Sequence, residues 1–267
     1  MIRDITIGQY YPAKSPIHRM DPRTKLFGTL IFIISVFLFH SVAGYAVATL
    51  FLAGMIIISQ VPVKFIFKGL KVIFMILMIT MVFNILLTPG EVLWKIGIFK
   101  ITREGISMAV RMAIRLVYLV IGSSLMTLTT TPNQLTDGLE KSLRPLNKIH
   151  IPVHEIAMMM SIALRFIPIL LEETDKIMKA QIARGADFES GNLIQKVKNM
   201  VPLLVPLFIS AFRRANDLAM AMEARCYHGG DNRTQMKPLH YTRRDHIAYV
   251  VLFVYLAVAI GFRVMGW

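Results

Sequence analysis

The sequence predicts an all-α membrane protein with about five transmembrane helices and a cytoplasmic module of long amphipathic helices. The chain is 55% hydrophobic, whereas soluble domains average about 45–50%. Its apolar residues are concentrated in runs such as 26–39, and a helix needs roughly 20 apolar residues to cross a hydrocarbon core about 30 Å thick. Charged residues collect instead in the stretch 131–246, which separates the last apolar run from the others.

Residues 1–130 are predicted to hold an amino-terminal segment and four of the spans. Pro62 and the pair Pro89-Gly90 interrupt the apolar pattern, because proline removes a helix hydrogen bond and a Pro-Gly pair marks a turn. Residues 91–103 are expected to form a loop between the third and fourth spans. The expected spans are 26–43, 44–61, 72–87 and 104–128.

The fourth span carries two arginines within its apolar sequence. Arg111 and Arg115 are four residues apart and therefore share one helix face. Because a cation in hydrocarbon is costly, we expect this face to meet protein, water or lipid headgroups. The span is accordingly expected to be tilted or partly amphipathic.

The module at residues 131–246 is predicted to contain two long amphipathic helices. Thr131 has the chemistry of an N-cap, and Pro132 suits the first position of a helix. The apolar stretches 156–171 and 201–212 are too short for a span, and runs of this length more often lie in protein cores or at interfaces. The apolar faces of both helices must therefore be buried against the membrane surface or a partner.

A last span is expected at 247–262, within a carboxy-terminal segment formed by residues 247–267. Alternation of the five spans then places the basic amino terminus and the 131–246 module on the same side. Cytoplasmic loops accumulate Lys and Arg, so we expect this side to be cytoplasmic. The net charge of +14 has the same explanation, since anionic lipids attract basic residues. The basic residues form no motif that reads nucleic acid, so the expected partner is the lipid bilayer and not nucleic acid.

Two matched tripeptides end the two long helices. They are Ala183-Arg184-Gly185 and Ala224-Arg225-Cys226. An arginine at a helix C-terminus can simply stabilise its own helix, by about 0.3–1 kcal/mol. Two copies in matching context favour a further role, because an exposed guanidinium donates several hydrogen bonds in a fixed plane and fits an acidic or carbonyl-lined groove. The pair indicates a chain that grips two similar partners.

The amino-terminal segment contains a second distinctive motif. It comprises Gly8-Gln9-Tyr10-Tyr11-Pro12, Ser15, His18 and Asp21-Pro22-Arg23-Thr24-Lys25-Leu26. Together with the arginine tripeptides, this motif resembles the T component of energy-coupling factor transporters, the vitamin and metal importers of the ABC superfamily. The resemblance covers essentially the whole chain. It implies a multi-pass protein of a prokaryotic cell membrane whose long helices act as coupling helices.

The resemblance implies a transmembrane coupling subunit for vitamin or micronutrient uptake, and not an enzyme. Two ATPase subunits would receive the arginine tips in their grooves and would use ATP-Mg. This chain would bind no cofactor, because its sequence has no Gly-x-x-x-x-Gly-Lys-Ser/Thr phosphate cradle. Cys226 stands where the family has glycine, and docking should survive because cysteine is small. The docking residues would be Ala183, Arg184, Gly185, Ala224, Arg225 and Cys226.

The resemblance also implies contact with substrate-binding S components in the membrane. Methionine is flexible and suits surfaces that accept several partners. A methionine-rich face on the first long helix is therefore the candidate contact, and ordinary helix packing is the alternative. The candidate residues are Met158, Met159, Met160, Ile167 and Leu171.

Two other functions stay open at the level of the sequence. A membrane-embedded enzyme would use polar residues of the module, and a conventional ABC permease would need its own substrate site within the spans. His150 and His154 have a spacing that can hold zinc, but Pro152 lies between them and no His-Glu-x-x-His motif is present. A polar pair at a helix start is therefore favoured, and no metal site is expected.

Overall fold

The computed structural model describes residues 10–39, 41–96, 99–188, 192–229, 236 and 238–264. The chain divides into two compact units. The bundle unit comprises Gly8–Gly138 and Leu239–Trp267, and the long-helix unit comprises Leu139–Pro238. In chain order the elements are α1 (Pro22–Leu38), α2 (Val42–Ser59), α3 (Val63–Leu87), β1 (Val92–Ile96), β2 (Phe99–Thr102), α4 (Arg103–Thr129), α5 (Pro132–Leu143), a 3-10 segment (Arg144–Ile149), α6 (Val153–Ala183), α7 (Leu193–Ala224) and α8 (Arg243–Val264).

The helix starts show why local sequence specifies these boundaries. Asp21 caps α1 by accepting a hydrogen bond from the Arg23 amide at 2.9 Å, so this helix begins four residues before the predicted span. Thr131 and Gln134 form a reciprocal capping box at the start of α5, with N···O distances of 3.3 and 3.2 Å. The expected N-cap at Thr131 is thus confirmed.

The core of the bundle unit lies where α1, α2 and α8 meet. Phe32, Tyr45 and Tyr255 belong to one buried apolar cluster. The Ser35 hydroxyl donates to the Phe32 carbonyl at 2.7 Å, so the Tyr255 hydroxyl donates to Ser35 across the 2.6 Å contact between α1 and α8. This internal partner allows a phenol to be buried without an unpaired donor.

The described part of the amino-terminal motif is bound to the bundle unit by buried polar groups, while Gly8 and Gln9 lie outside the described residues. Asp245, which is fully buried, accepts from the Asp21 amide at 2.8 Å. The Tyr11 carbonyl accepts from Nε2 of His18 at 2.9 Å, and Ser15 Oγ lies 2.7 Å from Nδ1 of the same ring. Burial lowers the pKa of His18 below its usual range, so the neutral ring is favoured.

Within the residues that the structure describes, three helices could cross a membrane by their length and composition, or four if a bent helix is counted as one span. They are α4, α6, the Arg243–Phe262 part of α8, and α3 counted as one span bent by 57° between Val63–Lys71 and Ile73–Leu87. Helices α1 and α2 are present where the first two spans are predicted, but with 17 and 18 residues they are shorter than these four segments. The all-α membrane class is confirmed. Helix α6 is also long and apolar enough to cross a membrane. The placement of residues 131–246 outside the bilayer therefore stays a prediction based on charge.

A short antiparallel hairpin replaces most of the loop predicted at 91–103. Strands β1 and β2 pair Val92 with Thr102 and Ile96 with Phe99. The first strand is rich in β-branched and aromatic residues, which favour extended backbone. The expectation of a loop was therefore wrong for this segment, although every other element among the described residues is a helix.

The arginine face of α4 meets protein at one of its two positions. Arg115 donates to the Phe39 carbonyl at 3.3 Å and approaches the Tyr45 hydroxyl at 3.5 Å. Arg111 is exposed one turn away. The predicted polar partners of Arg115 are therefore the Phe39 carbonyl, which follows α1, and the Tyr45 hydroxyl of α2.

The long-helix unit is built on two antiparallel helices of more than eight turns each. Near the middle of α7, Arg214 forms an ion pair with Glu173 of α6 at 3.2 Å. Closer to the end of α6, the Gln181 side chain donates to the Pro202 carbonyl at 3.3 Å. The later residue of α6 thus contacts the earlier residue of α7, which shows that the two helices are antiparallel.

Candidate functional site

The first arginine tip is held by a two-bond cap at the end of α6. Arg184 is the C-cap residue. The Gly185 amide donates to the Ile182 carbonyl at 2.9 Å, and the Ala186 amide donates to the Gln181 carbonyl at 3.0 Å. These two bonds define a Schellman motif, which requires a left-handed residue directly after the C-cap. Gly185 has φ of +88° and fulfils this requirement.

The second tip repeats the same cap at the end of α7. Arg225 is its C-cap residue. The Cys226 amide donates to the Glu223 carbonyl at 2.8 Å, and the Tyr227 amide donates to the Met222 carbonyl at 3.0 Å. The two arginines also have nearly identical backbone angles, with φ and ψ of −89° and 6° at Arg184 and of −94° and 13° at Arg225. The matched tripeptides therefore form matched structures.

Cysteine replaces glycine at the left-handed position of the second cap. Cys226 has φ of +55°, close to the centre of the left-handed helical region. A side chain in this region costs roughly 1–2 kcal/mol, so the cap at Arg225 forms against a penalty that the cap at Arg184 avoids. With cysteine in this position, α7 still ends at Ala224 and Arg225 is still its C-cap residue.

All six residues of the predicted docking tripeptides are exposed. Within the described ranges, neither Arg184 nor Arg225 takes part in an ion pair. Each guanidinium can therefore offer its donors to a partner without first breaking an internal salt bridge. This accessibility is what a docking tip requires, although the docking role itself stays a prediction.

The two tips lie far apart on the long-helix unit. The Asn199 side chain donates to the Asp187 carbonyl at 2.7 Å, which places the end of α6 beside this part of α7. Arg225 follows Asn199 by 26 residues, at the far end of α7. At 1.5 Å per residue this separation is about 39 Å along the helix. One small groove could not hold both arginines.

The predicted methionine-rich face is partly exposed on α6. Met159 is 59% exposed, Met160 is 43% exposed and Ile167 is 38% exposed. Met158 and Leu171 are half-buried. These residues are available for a partner surface, while their assignment to an S component stays a prediction.

The histidine pair separates in the structure. His150 has φ of +61° and ends the 3-10 segment, whereas His154 lies in the first turn of α6. Nδ1 of His154 lies 2.8 Å from Glu140, so this ring connects α6 to α5. Among the residues that the structure describes, no three His, Cys, Asp or Glu side chains are grouped as metal ligands.

Comparison with known proteins places this architecture in a transporter family. A family model described as a cobalt transport protein, CbiQ, matches residues 13–236. The chain belongs to the CbiQ cobalt transport protein family. The match includes both arginine tripeptides and most of the described amino-terminal motif. The resemblance proposed from those motifs is confirmed.

Relatives within the CbiQ family match nearly the full chain. The energy-coupling factor transporter transmembrane protein EcfT of Clostridium kluyveri is 57% identical over 266 residues, which cover 99% of this chain and 98% of the relative. The protein of the same name from Ruminiclostridium cellulolyticum is 55% identical over 256 residues, or 96% of each chain. That of Bacillus subtilis is 49% identical over 264 residues, covering 98% of this chain and 100% of the relative.

In this CbiQ family chain, the apolar face predicted for the second long helix is present and exposed on α7. Phe208 is 65% exposed, and its ring packs against Phe212 at a centroid distance of 4.7 Å. Their spacing of four residues places both rings on one side of the helix, and the sequence predicted that this side meets the membrane surface or a partner. The exposed apolar residues of α7 are Ile194, Val197, Met200, Val201, Leu204, Val205, Phe208, Ile209, Phe212 and Met220.

Proposed function

We propose that this chain is the transmembrane coupling subunit of an energy-coupling factor importer. Two ATPase subunits bind the arginine tips, and their ATP-driven motion passes through α6 and α7 to a substrate-binding S component that captures a vitamin or micronutrient. The observation that carries the proposal is the pair of identically capped, exposed arginines about 39 Å apart along α7. The names of the relatives support the same type of complex.

The cap geometry suits insertion into a groove. A Schellman motif turns the chain sharply away after the arginine, so the tip is narrow. Ala183 and Ala224 precede the two arginines, and their small side chains allow a close approach of the partner's backbone. A groove lined by carboxylates or carbonyl oxygens would receive the planar guanidinium with several hydrogen bonds.

The pairing of α6 with α7 provides a route for motion between the tips and the apolar faces. The Glu173–Arg214 ion pair and the Gln181–Pro202 hydrogen bond connect the two helices at two levels. A displacement at either tip therefore moves both helices. Their exposed apolar residues, including Met160 on α6, would carry the displacement to the S component.

The same proposal assigns the chemistry to the partners. The ATPase subunits bind and hydrolyse ATP-Mg, and this chain contributes no catalytic residue and no cofactor. Its orientation follows the charge distribution, with the amino terminus and the long-helix unit in the cytoplasm. The cell membrane of a prokaryote is the proposed location, in agreement with the sources of the relatives.

Charge reversal at both tips tests this function. We expect the double variant Arg184→Glu/Arg225→Glu to insert into the membrane normally but to lose both co-purification of the ATPase subunits and substrate uptake. The matched control is Arg213→Glu, an exposed arginine of α7 away from either tip. Normal uptake by the double variant would refute the proposal. Turnover of a substrate by the purified chain alone would favour an enzyme instead.

A further inference from the structure

A half-enclosed apolar cavity of about 330 Å³ lies inside the bundle unit. It is formed by α1, α2, α4, α8 and residues 16–20 of the amino-terminal segment, and nearly all of its surface is hydrocarbon. Cavities of about 300–1,000 Å³ hold small molecules or parts of larger ones. Its walls include Phe32, Phe51, Met55, Leu125 and Val251.

The charged groups of this cavity are gathered at one end. Lys25, near the start of α1, and Arg244, near the start of α8, both contribute to the lining. No carboxylate is found among the described lining residues. From Lys25 to Phe32 the wall extends over seven residues, or about 10 Å of helix. The Asp21 amide donates to Asp245 at 2.8 Å, so the starts of α1 and α8 are adjacent. Lys25 and Arg244, here called the cationic mouth, therefore lie at the same end of the cavity, and its other described lining residues are uncharged.

Lys25 has capacity for another acceptor. Its ammonium is buried, with the residue 8% exposed. It donates to the Thr129 carbonyl at 2.9 Å and to the His18 carbonyl at 3.3 Å. An ammonium has three donors, and within the described residues no carboxylate lies within 4.0 Å of this one. The nearby Asp245 accepts from Asp21 and Thr242 instead.

We propose that this cavity binds one acyl chain of an anionic phospholipid, with the phosphate at Lys25 and Arg244. The apolar walls accept the hydrocarbon chain, and the two cations complement the headgroup. Lys25 lies one residue before the first predicted span, the depth at which a headgroup meets the hydrocarbon core. The site is separate from the arginine tips and does not depend on the proposed coupling function.

Two pairs of variants test the site in the full-length chain. Arg244→Gln removes the exposed cation at the mouth, and its matched control is Arg243→Gln, which alters the adjacent exposed arginine that does not line the cavity. Ala248→Phe fills the cavity, and Val250→Phe places the same ring at an outward position that is 62% exposed. None of these residues belongs to the proposed docking tips.

The measurement is native mass spectrometry of the delipidated chain in maltoside micelles, titrated with dioleoyl phosphatidylglycerol or dioleoyl phosphatidylcholine. We expect one phosphatidylglycerol to bind tightly and Arg244→Gln to weaken its binding about fivefold, the effect of one cation near a headgroup. Ala248→Phe should abolish this stoichiometric binding. Arg243→Gln and Val250→Phe should bind as the parent chain does.

Three outcomes would overturn the proposal. Equal affinity for the two lipids would remove the role of the cationic mouth. Unchanged binding to Ala248→Phe would place the lipid on the outer surface, and absence of a saturable one-to-one species would leave only annular lipid. Thermal unfolding of each variant in the same detergent shows whether a loss of binding reflects misfolding, and Arg244→Gln provides the decisive comparison if Ala248→Phe unfolds early.

Discussion

Replacing Gly185 with alanine would test the link between backbone conformation and the arginine tip. Gly185 has φ of +88°, and a Cβ added there would meet no heavy atom within 4 Å. The substitution is therefore strained by the backbone alone and not by a clash. An alanine in the left-handed region destabilises the folded cap by roughly 1–2 kcal/mol. Alanine also lowers the conformational entropy of the unfolded chain, which offsets about 0.4–1 kcal/mol of this cost.

The net cost is about 1 kcal/mol, or about fivefold in the population of the closed cap. Hydrogen exchange at Gly185 and Ala186 reports this population directly, because both amides are bonded within the cap. We expect Gly185→Ala to speed exchange of these amides about fivefold. The reverse substitution, Cys226→Gly, should slow exchange at Tyr227 by a similar factor, because it removes the penalty at φ of +55°.

Gly54→Ala provides the control for these two substitutions. Gly54 lies within α2 with open space around its Cβ position and without a positive φ, so alanine should stabilise that helix by up to about 1 kcal/mol. Unchanged exchange at Ala186 in Gly185→Ala would show that the cap does not depend on the left-handed conformation. The argument for a preformed tip would then be refuted.

Two further predictions concern the bundle unit. Tyr255→Phe removes the donor to Ser35 and should lower the free energy of unfolding by about 1 kcal/mol, measured by denaturation of the variant and the parent chain in the same detergent. An unchanged free energy of unfolding would contradict a stabilising role for this hydrogen bond. Burial lowers the pKa of the Lys25 ammonium from 10.5 to about 8. Between pH 8 and 10.5 the unfolded chain therefore binds more protons, so stability should rise with pH there. Lys25→Arg, which stays charged, should lose this rise in thermal midpoint, and an identical pH profile would contradict it.

Several local features could be predicted because neighbouring residues determine them. The capping box at Thr131 and the ends of α6 and α7 depend on hydrogen bonds between residues no more than five apart. The apolar runs likewise predicted helices wherever their length allowed. The hairpin was missed because a short apolar run has no periodicity that distinguishes a strand from a loop.

The bounds of α1 and α3 show why segment ends are harder to predict. The first span was expected to begin at Leu26, but Asp21 caps a helix that includes three more polar residues. The third span was expected to begin at Val72, where α3 bends by 57°, but the helix itself already begins at Val63. Hydropathy marks where a helix becomes apolar and not where its hydrogen bonds start.

The amino-acid sequence by itself determined the membrane class, the family and the two arginine tips, since each depends on composition or on a few adjacent residues. The tertiary structure decided the antiparallel pairing that separates the tips, the burial of Lys25 and the cavity beside it. The Lys25 ammonium donates to the Thr129 carbonyl, 104 positions away in the sequence, and the Asp21 amide donates to the Asp245 carboxylate, 224 positions away. Such contacts arise only when helices pack together, because their energy depends on distances in space that local periodicity does not encode.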